Sequence, residues 1–331
     1  MRLPALLCSD LHLTDQPATE YRWGLFPWLA EQIKTHHVKT LLCLGDLTDA
    51  KDYHSAELTN RIVKSVADLP IGDIKILAGN HDWLKRGHEY FRFLNRLPNA
   101  AFITEPMEDP DVHGVATYYL PYSKNPAKDW VGRDFSHYNY LFLHQTVKGA
   151  VASNGQTMEG EPLPALNAGR VFSGDIHVPQ NIGGLTYVGS PYHVHFGDNF
   201  KPRCILIDRH GRESDLHFET IKRVSVKVEG LRQLRKLAFR AGDQVKVTLT
   251  LTPSEGHDWS RIKREAIAIL TEAGVNLQGF ELNLPRASRR VLVGGTEGQG
   301  RLTPPSLIWD FVNREELGGD ALEVAMEVLG S

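Results

Sequence analysis

The chain has 331 residues, 41% hydrophobic and 23% charged, the balance of an ordinary globular protein with room for two domains. Thirty-seven Lys and Arg against 40 Asp and Glu leave a net charge of −3, which excludes a uniformly basic nucleic-acid coat and an acidic disordered tail. No apolar run is long enough to span a membrane, the first ten residues lack the plan of a signal peptide, and three cysteines (Cys8, Cys43, Cys204) fit a reducing, cytoplasmic compartment.

Apolar runs of strand length recur through residues 1–210, and five of them end in polar clusters. Pro4–Cys8 leads into Ser9-Asp10-Leu11-His12. A helical stripe of Leu25, Leu29 and Ile33 follows, with Pro27 in its first turn. Thr40–Leu44 leads into Gly45-Asp46, and a second stripe carries Leu58, Ile62, Val66 and Leu69. Ile74–Ala78 leads into Gly79-Asn80-His81-Asp82, Tyr140–Leu143 into His144, and Arg170–Ser173 into Gly174-Asp175-Ile176-His177. Near-continuous hydrophobicity suits strands buried on both faces, and strand–helix alternation predicts an α/β sheet. Runs at Thr186–Val188 and Cys204–Ile207 lack intervening helices and are expected to be antiparallel additions.

Residues 221–285 read as a small α+β domain. Val224, Val226 and Val228 alternate, Leu231 to Phe239 is helical in pattern, and Val245, Val247, Leu249 and Leu251 alternate again. Asp258 caps a helix reaching about Glu272, with Ile262, Ala266 and Ile269 on one face, and Leu277 to Leu284 closes the domain as a strand. A glycine-rich linker within 286–302 precedes two short helical patterns in 303–331.

Fourteen of the 15 histidines precede residue 218. The strand ends supply Asp10, His12, Asp46, Asn80, His144, Asp175 and His177, and such ends converge on one crevice in an open α/β sheet. Carboxylate, amide oxygen and imidazole are donors for Mn, Fe or Zn. Counting donors gives two ions, one held by Asp10, His12, Asp46 and His177, the other by Asp46, Asn80, His144 and Asp175, with Asp46 as the bridge. Paired ions of this kind clamp a phosphoryl oxygen. His81 is left over to protonate a leaving oxygen, with Asp82 to orient it.

The order Asp-x-His, Gly-Asp-x-x-Asp, Gly-Asn-His-Asp, His, Gly-x-x-His resembles the calcineurin-like metallophosphoesterases. Thr186-Tyr187-Val188-Gly189-Ser190-Pro191 and Phe196-Gly197-Asp198 look like the segment that follows the last metal motif in SbcD-type DNA nucleases. The resemblance implies a metallophosphoesterase β-sandwich flanked by helices over 1–220, a small α+β capping and DNA-binding domain over 221–285, a linker over 286–302, and a C-terminal helical segment over 303–331 that docks on an SbcC-like coiled-coil ATPase. It implies a Mn-dependent nuclease, acting as an exonuclease on duplex ends and an endonuclease on single strands, with a homodimer among its assemblies; Mg or Fe are the other metals considered. A viral version would act in the host cytoplasm.

Two positions depart from that pattern. Asp175 stands where relatives carry His, and a harder second site favours Mn or Mg. Asp49 stands where many relatives carry His, which leaves its proton-handling role to be tested and makes His54 a stand-in. His193 and His195 read as loop or substrate contacts. Lys222, Arg223, Lys227, Arg232, Arg235, Lys236, Arg240 and Lys246 against Glu229 and Asp243 form a basic strip, with Arg232, Arg235, Lys236 and Arg240 the expected DNA contacts. The competing readings are a phosphomonoesterase or cyclic-nucleotide phosphodiesterase, which would not need residues 221–331, and a non-catalytic DNA-binding or assembly subunit.

Overall fold

The apolar runs become strands because each is covered on both sides. In the computed structural model, residues 1–83, 87–109, 115–130, 133–160, 166–252 and 255–283 are described, so the expected linker and tail at 286–331 lie outside the described residues. One six-stranded sheet takes β1 (Ala5–Cys8), β2 (Thr40–Cys43), β3 (Ile74–Leu77) and β4 (Ala100–Ile103) in parallel, with β11 (Cys204–Ile207) and β12 (Glu213–Leu216) antiparallel at one edge. A second takes β6 (Thr117–Leu120), β7 (Tyr140–His144), β8 (Arg170–Gly174) and β10 (Leu185–Tyr187) in parallel, with β5 (Met107–Asp109) and β9 (Gln180–Ile182) at the edges.

Alternation along the strands divides the core. Leu6, Cys8, Leu41 and Cys43 face α1 (Leu25–Thr35) and α2 (Ala56–Ala67), meeting Leu29, Ile33, Ile62 and Val66. Leu7, Leu42 and Leu77 point the other way and meet Tyr119, Phe142 and Phe172 of the second sheet. The second sheet's far face is covered by Trp130, Phe135 and Val147. The fold is therefore a mixed α/β sandwich flanked by helices. One expectation fails: β10 runs parallel to β8, because the short β9 strand turns the chain round without a helix.

Residues 223–283 form a third sheet, and it too departs from expectation. β13 (Arg223–Glu229), α4 (Gly230–Leu234), β14 (Gln244–Thr250), α5 (Trp259–Glu272) and β15 (Asn276–Asn283) alternate, and all three strands are parallel. Parallel neighbours need crossovers, and the helices supply them. The module is thus a parallel α/β unit rather than α+β. Val226, Val228, Val245, Val247 and Leu249 pack beneath Leu234, Ile262, Ala266 and Leu270. The opposite face of the sheet carries Arg223, Ser225, Lys227, Lys246 and Thr248 and has no helix on it among the described residues. Arg223 donates to the Val194 carbonyl at 2.6 Å and Gln244 to the Ala18 carbonyl, tying the module to the sandwich. No helix among the described residues is long and apolar enough to cross a membrane.

The core assignment has a direct test. Leu7→Ala, at a fully buried site between the sheets, should cost about 2–5 kcal/mol in urea unfolding. Tyr53→Ala, at a side chain 80% exposed, should change stability by no more than about 0.5 kcal/mol.

Candidate metal centre

The parallel strands of both sheets end on one edge, and backbone hydrogen bonds stitch their loops together. Asp10 N–H donates to the Gly45 carbonyl at 3.1 Å and His12 N–H to the Asp46 carbonyl at 3.0 Å. Asp175 N–H donates to Asp10 Oδ1 at 3.1 Å, joining the second sheet to the first. Among the described non-glycine residues, Asp10, His12, Asp46, Asp175 and His37 have positive φ, and the first four are expected ligands. Left-handed backbone at such residues costs roughly 1–3 kcal/mol apiece and persists where the surroundings enforce it, as at ligand sites.

Three groups of donors emerge among the described residues, two at the strand ends and a third, His12, Asp49 and His81, at the rim. Asp10, His12 and His177 converge on one point, and Asp10, Asp46 and His144 on another. His12 Nε2 lies 3.0 Å from His177 Nε2 and 3.6 Å from Asp46 Oδ2. His144 Nε2 lies 3.4 Å from Asp46 Oδ1 and 3.7 Å from Asp175 Oδ1. Asp46 therefore stands between the two groups. Asp175 reaches the second group with one oxygen and accepts the Thr146 hydroxyl with the other.

The donor set fits divalent cations. Buried Asp10 Oδ2, Asn80 Oδ1 and His144 Nε2 have no hydrogen-bond partner, although buried polar atoms are nearly always paired. The His144 tautomer agrees with this. His144 Nδ1 lies 2.5 Å from the Leu44 carbonyl, so its proton sits there and Nε2 presents a lone pair. His12 Nδ1 lies 3.3 Å from Asp49 Oδ1, an ion-pair contact only, and is itself a buried atom without a hydrogen-bond partner. Burial raises the Asp10 carboxyl to about 7 and lowers the His12 imidazole to about 4. It also pushes Asp46 up, helped by Asp82, and His177 down, helped by His12. Without a cation the cluster thus resists carrying its charge, and bound cations supply the missing compensation.

Close approach requires glycine here. A Cβ at Gly45, whose φ is +97°, would enter the His144 ring, and one at Gly79 would collide with Asp46. Asp82 is fully buried and does not serve His81. Its Oδ2 accepts from the N–H groups of Asp46 at 2.9 Å and Gly79 at 2.7 Å, and its Oδ1 from Leu47 at 3.0 Å. It clamps the two ligand loops together. The partner of the His81 ring is the Asp49 carbonyl, 2.7 Å from Nδ1. Asp49 thus braces both His12 and His81, and His12 holds its carboxyl down at about 2.

Other expected residues fall elsewhere. His54 is buried, bonds Thr48 Oγ1 at 2.7 Å and packs on the rings of Tyr90 and Phe91, so it is a core residue and no substitute at position 49. His193 is buried against the Phe200 carbonyl at 3.1 Å, which removes it as a surface contact. His195 is exposed and stacks on His177 with ring centres 5.2 Å apart. Arg232, Arg235 and Lys236 are exposed on the helical side of the module, with the sheet between them and the metal cluster, and Arg235 pairs with Glu265. Arg240 donates to the Thr220 carbonyl in the loop before β14.

Several bracing residues were not visible in the sequence. Buried Arg22 donates to the carbonyls of His12 and Val194. Ser190 Oγ donates to the Asp10 carbonyl at 3.1 Å, and the Tyr192 hydroxyl to the Leu11 carbonyl at 2.5 Å. The Gly-Ser-Pro segment marks the last two; nothing marks Arg22, which lies in a 3-10 turn.

Two outcomes follow. Because the Asp10 carboxyl is raised from its ordinary 3.8 to about 7, its share of metal-free stability is complete below the lower value and is lost as pH rises through the upper one. Mn²⁺ should therefore raise the melting temperature more at about pH 8 than at about pH 5.5, and equal increments would contradict the assignment. Gly79→Ala should weaken metal binding in equilibrium dialysis while far-UV circular dichroism stays unchanged.

A family model for calcineurin-like phosphoesterases matches residues 3–179. A search of curated proteins finds no match. The matched span holds both sheets' ligand-bearing strand ends, Asp10 through His177, and the chain belongs to the calcineurin-like phosphoesterase family.

Proposed function

We propose that this chain is a Mn-dependent DNA nuclease of the SbcD type, a finer assignment than metal-dependent phosphoester hydrolysis. The observation that carries it is a cleft of about 700 Å³ that continues from the metal cluster onto the module. Asn80, Asp175, His177 and His195 line one part, and Ser225 and Lys227, on the sheet face opposite α4 and α5, line another. A phosphomonoester would occupy only the first part. A polymeric phosphodiester uses both, with Lys227 beside its backbone. The expected contacts at Arg232, Arg235 and Lys236 move accordingly to Lys227 and its neighbours on the open sheet face.

Two divalent ions, when bound, neutralise the phosphoryl oxygens and ready a water for attack. The second group of Asp46, Asn80, His144 and Asp175, with more oxygen than nitrogen donors, favours Mn or Mg. The chain's own residues do the rest. Asp82 fixes the loops that carry Asp46 and Asn80. The Asp49 carbonyl holds the His81 Nδ1 proton, so that His81 presents Nε2 to the leaving sugar oxygen and, when protonated, donates to it. Residues 303–331, outside the described residues, are the segment this reading assigns to an SbcC-like ATPase.

Purified protein with Mn²⁺ should cleave end-labelled duplex and single-stranded DNA, while p-nitrophenyl phosphate and cyclic nucleotides react poorly. Asp46→Ala should abolish cleavage. His81→Ala should lower kcat by about 10²–10⁴-fold with metal stoichiometry intact. Lys227→Ala should reduce the slope of log kcat/KM against log salt by about one. Monoester turnover without DNA cleavage would return the chain to the phosphomonoesterase reading. If Asp175→His leaves metal preference unchanged, Asp175 is no ligand.

A further inference from the structure

A second cavity, about 250 Å³, lies on the other side of the Asn80 loop and has no part in the chemistry described above. Three aromatic side chains line it, together with the carboxylates of Glu89, Glu105 and Asp129. Trp83 follows directly on the Gly79–Asp82 loop and forms one wall; Tyr122, whose N–H donates to the Ala78 carbonyl at 2.9 Å, forms the next. The two rings meet at 5.9 Å and 55°, making an L rather than a closed stack. Buried Trp130 also lines the cavity, as does Asn125. The Asn125 Oδ1 accepts from the Lys128 N–H, which leaves its amide NH₂ as the donating end. Lys124 Nζ stands 5.0 Å from the Trp83 ring centre.

Tyr122 joins this cavity to the metal centre. Its ring meets the ring of His144 edge-on at 6.4 Å. Tyr122 is thus both a wall of the cavity and a neighbour of a candidate ligand, and this shared side chain is what relates the cavity to a phosphate at the cluster. Two half-exposed aromatic rings at an angle, next to an amide donor, match a flat heteroaromatic ring with polar edges better than an aliphatic chain. Stacking of this kind is tolerant of base identity, because every base has a π face.

We propose that Trp83 and Tyr122 form a base-stacking subsite that holds the nucleobase next to the scissile phosphate, unstacked from its neighbours. The subsite rests on the nuclease reading and deepens it. It positions a nucleotide unit and excludes phosphodiesters that have no base. An unpaired or frayed base enters at lower cost than one inside a duplex, so the subsite also favours single-stranded or end-proximal substrate.

The test compares two probes of the Mn²⁺-loaded full chain by calorimetric titration: deoxyadenosine 5′-monophosphate and 2-deoxyribose 5-phosphate. The wild type should bind the nucleotide about tenfold or more tighter than the sugar phosphate, within the range found for base–aromatic stacking. Trp83→Phe keeps a π face and should retain most of that ratio. Trp83→Leu keeps apolar bulk without a π face and should bring the ratio to within about twofold. Equal binding of both probes by the wild type, or an unchanged ratio in Trp83→Leu, would overturn the subsite. DNA cleavage is followed separately. Absence of cleavage with the nucleotide preference intact overturns the nuclease reading and leaves the subsite standing; cleavage without the preference does the reverse.

Discussion

The structure depends on holding anionic and imidazole donors, several of them fully buried, within a few ångströms of one another at the floor of a cleft. Asp10 and Asp46 are buried, which raises the cost of charging each; Asp46 adds to that cost for Asp10, and Asp82 and Asp175 add to it for Asp46. Left alone, such a cluster would spread apart or take up protons. The protein prevents the first by backbone and packing. Left-handed turns at Asp10, His12, Asp46 and Asp175 aim the side chains, and glycine at 45 and 79 allows the loops to close on them. Cations answer the second, which is why the site reads as built for ions rather than as a fortuitous polar pocket.

Asp82 shows how far the scaffold serves that end. A fully buried carboxylate accepting three backbone N–H groups adds no ligand and no base. It makes the Gly45–Leu47 and Gly79–Asp82 loops one rigid piece. Asp49 works the same way from the rim, with its carboxylate on His12 and its carbonyl on His81. The Gly-Ser-Pro segment and Arg22 close the ring from below. The placement of the candidate ligands is thus a property of several side chains, Asp82, Asp49, Ser190, Tyr192 and Arg22, that lie outside the proposed ligand set.

Much of this was legible because strands buried on both faces leave continuous apolar runs, and the ends of those runs are where Asp10, Asp46, Asn80, His144, Asp175 and His177 sit. The period-two pattern of Val224–Val228 and Val245–Leu251 likewise marked the module's strands. Direction was not legible: alternation is identical in parallel and antiparallel sheets, so the module's parallel order and that of β10 appeared only in three dimensions. Burial of single histidines was hidden for a related reason. His54 sits in polar sequence but buries against Tyr90 and Phe91, contacts made across the fold, and His193 buries against Phe200 where its loop folds back on itself. A basic run also says nothing about which side of a sheet it occupies, which is why Arg232, Arg235 and Lys236 looked better placed than Lys227. The short strands at Met107–Asp109 and Gln180–Ile182 are too brief for any pattern to show.

The central claim is that Asp46 bridges two ions. Anomalous scattering from a crystal soaked in Mn²⁺ tests it most directly. The account predicts two peaks about 3.5–4 Å apart, one beside Asp10, His12 and His177 and one beside Asn80, His144 and Asp175, with Asp46 between them. A single peak, or two that do not share Asp46, would contradict it.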